Sequence, residues 1–139
     1  MSRAFLLDTN IVSELRKTRP HRGVLAWLST VGADQLAIPA VVIGEIQAGV
    51  EITRLQHPSK AIEIETWLEA ILASHSVVPM DAAIFREWAR LMHKRQEHLA
   101  FDAMIAATAR NLQMIVATRN VEDFEGLGVE IFNPFAYKG

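Results

Sequence analysis

Ala4-Phe5-Leu6-Leu7-Asp8-Thr9-Asn10 is an apolar run that stops at an acid followed by two short polar residues. The apolar part, Ala4 to Leu7, reads as a buried strand, and Asp8 or Thr9 can cap a helix over Thr9 to Lys17. The chain therefore turns from strand to helix at Asp8, and the same alternation continues outward. Val24, Trp27, Leu28 and Val31 share a helical face, and Gln35 to Ile38 reads as a second strand closed by Pro39. A helix from about Val41 to Leu55 is broken at His57-Pro58-Ser59. Ile64, Trp67, Leu68, Ile71 and Leu72 then form an amphipathic stripe.

Ser76 to Pro79 reads as a third strand, Asp81 as an N-cap, and Ile84, Phe85, Trp88, Leu91 and Met92 as another stripe. After the polar stretch His93 to His98, the nearly all-apolar helix Phe101 to Leu112 belongs in the interior. Met114 to Ala117 is a fourth strand and Val129 to Phe132 a fifth. Strands alternating with helices predict an α/β fold, a parallel sheet covered on both faces.

Half of the 139 residues are hydrophobic, enough for one compact domain over residues 1–139. Fourteen Lys and Arg nearly balance sixteen Asp and Glu, which excludes a uniformly basic nucleic-acid coat. With no cysteine there is neither a disulfide framework nor a thiolate zinc site, and a reducing cytoplasm is the expected location. Met1-Ser2-Arg3 leads into too few apolar residues for a signal peptide, and no apolar run approaches a membrane span.

Asp8, Glu45 in Ile43-Gly44-Glu45-Ile46 and Asp102 in Phe101-Asp102-Ala103-Met104 are three carboxylates set in sequence that otherwise looks like core. Acids in such surroundings are usually paired or hold a metal. Taken singly, Asp8 and Asp102 also fit helix capping; capping cannot explain Glu45, although a lone acid there could face solvent. In open parallel sheets ligands bind beyond the carboxyl ends of the strands, where strand order reverses. Asp8 and the Thr118 to Asp123 segment both lie at such ends.

The segments Leu7-Asp8-Thr9-Asn10-Ile11-Val12-Ser13-Glu14, Ile43-Gly44-Glu45-Ile46, Asp102 to Ala109 and Val116-Ala117-Thr118-Arg119-Asn120, in this order and spacing, resemble the PIN-domain family. The closing Phe132-Asn133-Pro134-Phe135 resembles its FitB/VapC-like branch, the toxins of type II toxin–antitoxin pairs. The resemblance implies a three-layer α/β/α domain with a central parallel β-sheet. It implies a ribonuclease whose Asp8, Glu45 and Asp102 hold Mg²⁺ or Mn²⁺, with Thr9, Asn10 and Thr118 orienting ligands and water. It implies a homodimer and a small antitoxin whose C-terminal tail crosses the active-site groove, operator DNA being reached only through that antitoxin. No membrane partner is implied.

Members of this branch often carry a fourth acid where Asn120 stands, and here the nearest acid is Asp123, three residues on. Asp123 is thus a further catalytic candidate if the segment forms a helical turn, or a cap of that turn; Asn120 can serve only through hydrogen bonds. Hard divalent cations suit this all-oxygen set, Mg²⁺ typically taking one or two carboxylates and keeping several waters. Arg16, Lys17 and Arg19 after the first helix, and Lys94 and Arg95 before Asp102, are candidate RNA phosphate contacts or simply solvated loops. His21, His93 and His98 show no metal-ligand spacing with the acids, and Trp27, Trp67 and Trp88 fall on apolar stripes as core or dimer-contact residues.

A haloacid-dehalogenase-type phosphatase would need an aspartate where Asn10 stands, and a receiver domain would need an acidic pair at the first strand and a late lysine. The serious alternative is a non-catalytic PIN-fold module that binds RNA or a protein partner without cutting.

Overall fold

The computed structural model describes residues 3–139; Met1 and Ser2, the head of the segment too short for a signal peptide, lie outside the described residues. Five parallel strands, β1 (Phe5–Leu7), β2 (Leu36–Pro39), β3 (Ser76–Val78), β4 (Ile115–Ala117) and β5 (Ile131–Phe132), make one sheet in the order β3-β2-β1-β4-β5. Phe5 pairs with Leu36 on one side and Ile115 on the other, and Leu7 pairs with Ala117. Consecutive strand side chains point to opposite faces, yet Leu6 and Leu7 are both fully buried, so helices cover both sides and the three-layer expectation holds. The order reverses between β1 and β4, which opens a crevice at their carboxyl ends.

Seven helices connect and cover the described strands: α1 (Thr9–Glu14), α2 (Arg22–Leu28), α3 (Ala40–Gln56), α4 (Pro58–Ser74), α5 (Ala82–Met92), α6 (Ala100–Leu112) and α7 (Val121–Phe124). Helix α1 stops at Glu14, short of the expected Lys17. The amides of Leu15, Arg16 and Lys17 bond three residues back, a tightening that ends the helix ahead of Pro20. Pro39 closes β2 from inside the strand, opposite Val78, and α3 starts directly after it.

The core joins Leu6, Leu7, Ile11, Val24, Ile38, Ile105 and Phe124 across both layers. Trp27 lies in it, its ring centroid 5.0 Å from Phe5 and 5.4 Å from Phe132. Helix α6 is interior along Ala103 and Ile105 to Ala109, while its ends emerge at Phe101 and Leu112. Helix α4 departs further from expectation. Ala61, Leu68 and Ile71 are buried and Ile64 and Trp67 partly so, but Leu72 is exposed, because α4 packs as a hairpin on α3 and not with its whole stripe on the sheet. Ile52, Leu55 and Ile62 on the same hairpin also face solvent.

Candidate active site

Asp8 sits where β1 ends. Its N–H continues the ladder to the Ala117 carbonyl at 3.0 Å, and its extended backbone makes it the N-cap of α1, with Oδ1 accepting from the Thr9 N–H at 2.7 Å. The other carboxylate oxygen turns to β4: Oδ2 accepts from the Thr118 hydroxyl at 2.7 Å and the Asn10 amide at 3.2 Å. Capping and site membership therefore coexist in one residue that is only 4% exposed. Burial raises the Asp8 carboxyl above its ordinary value against the pull of these three hydrogen bonds, and the charge of Asp123 adds to the rise.

Thr118, fully buried just past β4, is the hub of the polar network. Besides donating to Asp8 its hydroxyl accepts from the Asn120 N–H at 2.9 Å and the Asn10 amide at 3.4 Å. Asn10 in turn accepts from the Arg119 N–H at 3.1 Å, which fixes its amide with the nitrogen toward Asp8. Thr9 reaches the other way, its hydroxyl donating to Glu45 of α3 at 3.2 Å. Glu45 is part-buried, and its carboxyl is raised first by burial and further by the Asp8 charge, against the Thr9 hydrogen bond.

Asp102 lies in the first turn of α6 but does not cap it, since the N-cap position is Leu99 and Asp102 makes no side-chain hydrogen bond among the described residues. Its carboxyl is pushed up to about 6, first by burial and then by the charges of Asp8, Asp123 and Glu45. Asp102 thus lies in the field of the other three acids. Asp123, on the single turn α7 that the buried Phe124 pins to the core, is exposed at the rim. No cation forms an ion pair with any of the four among the described residues.

This donor set suits a hard divalent ion: every candidate ligand is oxygen and the negative charge is uncompensated. Yet no three of the described His, Cys, Asp and Glu side chains converge tightly enough to enclose an ion by themselves. The arrangement fits a hydrated ion held among these carboxylates and not a closed protein cage.

The basic candidates divide. Lys17 pairs with Glu14, and Arg95 is tied to the carbonyls of Leu91 and Gly126, so both have intramolecular work. Arg16, Arg19 and Lys94 are exposed, Lys94 in a left-handed turn with φ 67°. A cavity of about 680 Å³ lies at the opposite ends of the strands and holds none of these four acids; its Glu87 and Glu130 are already matched by Arg90, Arg110 and Arg3.

Glu14 escaped the sequence reading. It is 4% exposed and accepts from the His21 N–H at 2.7 Å. Burial alone would raise its carboxyl, but the Lys17 hydrogen bond and this N–H outweigh it and hold it below the usual value. An acid closing a short helix carries no sequence signal of burial.

The PIN domain family model matches residues 5–128. The chain belongs to the PIN domain family. Among its relatives, Toxin FitB of Neisseria gonorrhoeae is 30% identical over 136 residues, covering 94% of this chain and 97% of that protein. VapC ribonuclease Y4jK of Sinorhizobium fredii is 32% identical over 94% of this chain and 96% of its own length. The structure of FitAB bound to an IR36 DNA fragment superposes with a TM-score of 0.82 at 29% identity, covering 97% of this PIN domain and 98% of that chain. FitAcB from Neisseria gonorrhoeae gives 0.82 at 30% identity, over 95% and 99%. The parallel sheet flanked by helices is the fold shared with these complexes.

Proposed function

We propose that this PIN domain is a metal-dependent endoribonuclease, the toxin of a type II toxin–antitoxin pair. The observation that carries the reading is the group of acids without a cationic partner at the β1/β4 crevice, where burial and neighbouring carboxylate charge raise Asp8, Glu45 and Asp102, the last to about 6. Asp8 and Asp102, with Glu45, would hold Mg²⁺ or Mn²⁺. Bound there, the ion supplies neutralisation of charge developing on the phosphate and activation of water. Asp123 adds a fourth charge at the rim, and Asn120 contributes only hydrogen bonds.

The chain's own contribution is orientation and proton transfer. The Thr118 hydroxyl, the Asn10 amide and the Thr9 N–H fix the Asp8 carboxylate with three bonds, so it cannot swing away under repulsion. Thr9 does the same for Glu45. Of the acids that would hold the ion, Asp102 is the one with a carboxyl oxygen left to accept the proton of the attacking water, since no side-chain hydrogen bond among the described residues engages it. Oxygen then bonds to phosphorus, the phosphodiester bond to the leaving oxygen breaks, and that oxygen is protonated from solvent. No covalent enzyme intermediate is needed.

A small antitoxin that lays a cationic tail across the four acids would supply the missing counter-charge and block substrate. Relatives of this chain are named FitAB and FitAcB complexes, the former on DNA, which supports operator contact through the antitoxin. No described helix is long and apolar enough to cross a membrane. The test is cleavage of end-labelled single-stranded RNA by the purified chain in Mg²⁺ and in EDTA. Cleavage in Mg²⁺ alone, lost in Asp8→Asn, is expected. Intact RNA under both conditions, with RNA retained by the protein, would point to the non-catalytic module.

A further inference from the structure

Adjoining the acid pocket is a second cavity, about 440 Å³, lined by Glu14, Lys17, Arg19, His21, Arg119 and Phe135. It is joined to the acids through one residue: the Arg119 N–H donates to Asn10, whose amide donates to Asp8. Around the Phe135 ring the chain gathers two nitrogenous side chains. The Arg119 guanidinium lies 4.9 Å from the ring centroid, and the His21 ring is also 4.9 Å away. An aromatic face holds a guanidinium without consuming its N–H donors, which leaves them available to an anion.

The surroundings keep this arrangement in place. A Cβ on Gly23 would come within 2.8 Å of the Pro134 carbonyl, so the start of α2 lies directly on the turn that carries Phe135. His21, itself exposed, caps α2 by accepting from the Gly23 N–H through Nδ1 at 3.0 Å, a role that leaves Nε2 as the ring's donor nitrogen. The buried Glu14 is matched by Lys17, so the one acid in the cavity wall is neutralised. Neither Arg119 nor Arg19 has a carboxylate partner among the described residues.

We propose that this cavity is a phosphate subsite for single-stranded RNA, taking a backbone phosphate that flanks the scissile one on the guanidinium of Arg119, with Arg19 and the Nε2–H of His21 as further donors. The inference rests on the ribonuclease reading and adds to it the element that orients the strand across the acids. Arg119 and Phe135 are positioning residues here: the ring holds the guanidinium, and the guanidinium holds the phosphate.

The test is fluorescence anisotropy with a short labelled single-stranded 2′-O-methyl oligoribonucleotide in Ca²⁺ buffer, titrated across salt. Arg119→Gln should weaken binding about tenfold, as expected for a lost charged hydrogen bond. The slope of log K against log salt should fall by about 0.7, the contribution of one phosphate on a single strand. Phe135→Leu should shift both readings in the same direction, while the Mg²⁺-induced rise in melting temperature of Arg119→Gln stays at the wild-type value. If wild type cleaves RNA but Arg119→Gln binds it equally tightly with the same salt slope, the subsite is refuted and the ribonuclease reading stands. If wild type neither binds nor cleaves RNA, both fall. If an oligo-glutamate peptide binds in an Arg119-dependent way and RNA does not, the cavity belongs to an acidic protein partner and the inference is overturned.

Discussion

Replacing Asp102 by Asn should stabilise the metal-free protein, and its size follows from the site. The Asp102 carboxyl moves from an ordinary 3.8 to about 6 on folding, because burial and the charges of Asp8, Asp123 and Glu45 disfavour its ionised form. Between those two values the folded chain holds a proton that the unfolded chain has released, so stability falls as pH rises through this window. Above about 6 the whole penalty is present. At about 1.4 kcal/mol per tenfold change in proton affinity it would reach roughly 3 kcal/mol, and solvent screening of this half-buried group reduces that to about 1.5 kcal/mol.

The amide carries no charge at any pH and escapes the penalty. In EDTA at pH 7.5, Asp102→Asn should melt about 3–6 °C above wild type, given about 2–4 °C per kcal/mol for a chain of this size. At pH 5 the gap should shrink by about half, since the window is then only partly crossed. Adding Mg²⁺ should raise wild type more than the variant, because the ion binds the folded state and loses a ligand in the variant. Scanning fluorimetry at the two pH values, with and without Mg²⁺, reads all of this. A variant that melts at or below wild type at pH 7.5, or a gap independent of pH, would refute the view that Asp102 is held charged against its surroundings.

Asp8→Asn keeps two of the three hydrogen-bond contacts in principle but removes the best-oriented carboxylate, so Mg²⁺-dependent RNA cleavage should fall at least a hundredfold with the circular dichroism spectrum unchanged. Persistent cleavage would falsify the assignment of Asp8. Asp123→Asn should weaken Mn²⁺ binding in calorimetry and lower activity, whereas Asn120→Asp should at least preserve both; unchanged Mn²⁺ affinity in Asp123→Asn would leave a three-carboxylate pocket. The isolated chain should sediment as a homodimer, using the exposed Ile52, Leu55, Ile62 and Leu72 of the α3/α4 hairpin. A mass near 15.5 kDa at micromolar concentration would count against it.

The fold was legible where periodicity and punctuation agreed, as in Phe5-Leu6-Leu7 ending at Asp8 and Val116-Ala117 ending at Thr118. It was less legible where an apolar stripe names the residues but not their partner. The α4 stripe marked Leu72 and Leu68 alike, yet only Leu68 meets the core, because the hairpin with α3 covers a narrower face than the stripe offers.

The site divides along the same physical line. Asp8 and Glu45 stood out because an ionised group in apolar sequence demands a reason, and both acquire one in the Thr118, Asn10 and Thr9 hydroxyl and amide contacts. Asp102 had a competing explanation as a helix cap. That explanation fails on geometry: α6 begins at Ala100, the carboxyl caps nothing, and three other acids raise it. For Asp123 the spacing allowed either a cap or a fourth charge, and the field it exerts on both Asp8 and Asp102 favours the charge. Glu14, Arg119 and Phe135 each stand in a recognisable segment, but their meeting around one cavity is not in any of those segments and exists only once α2 lies against the C-terminal turn. Groups that act through the backbone geometry of distant segments stay invisible to spacing, whereas Asp8, Glu45 and Asp102 were visible because burial makes each of them costly where it stands.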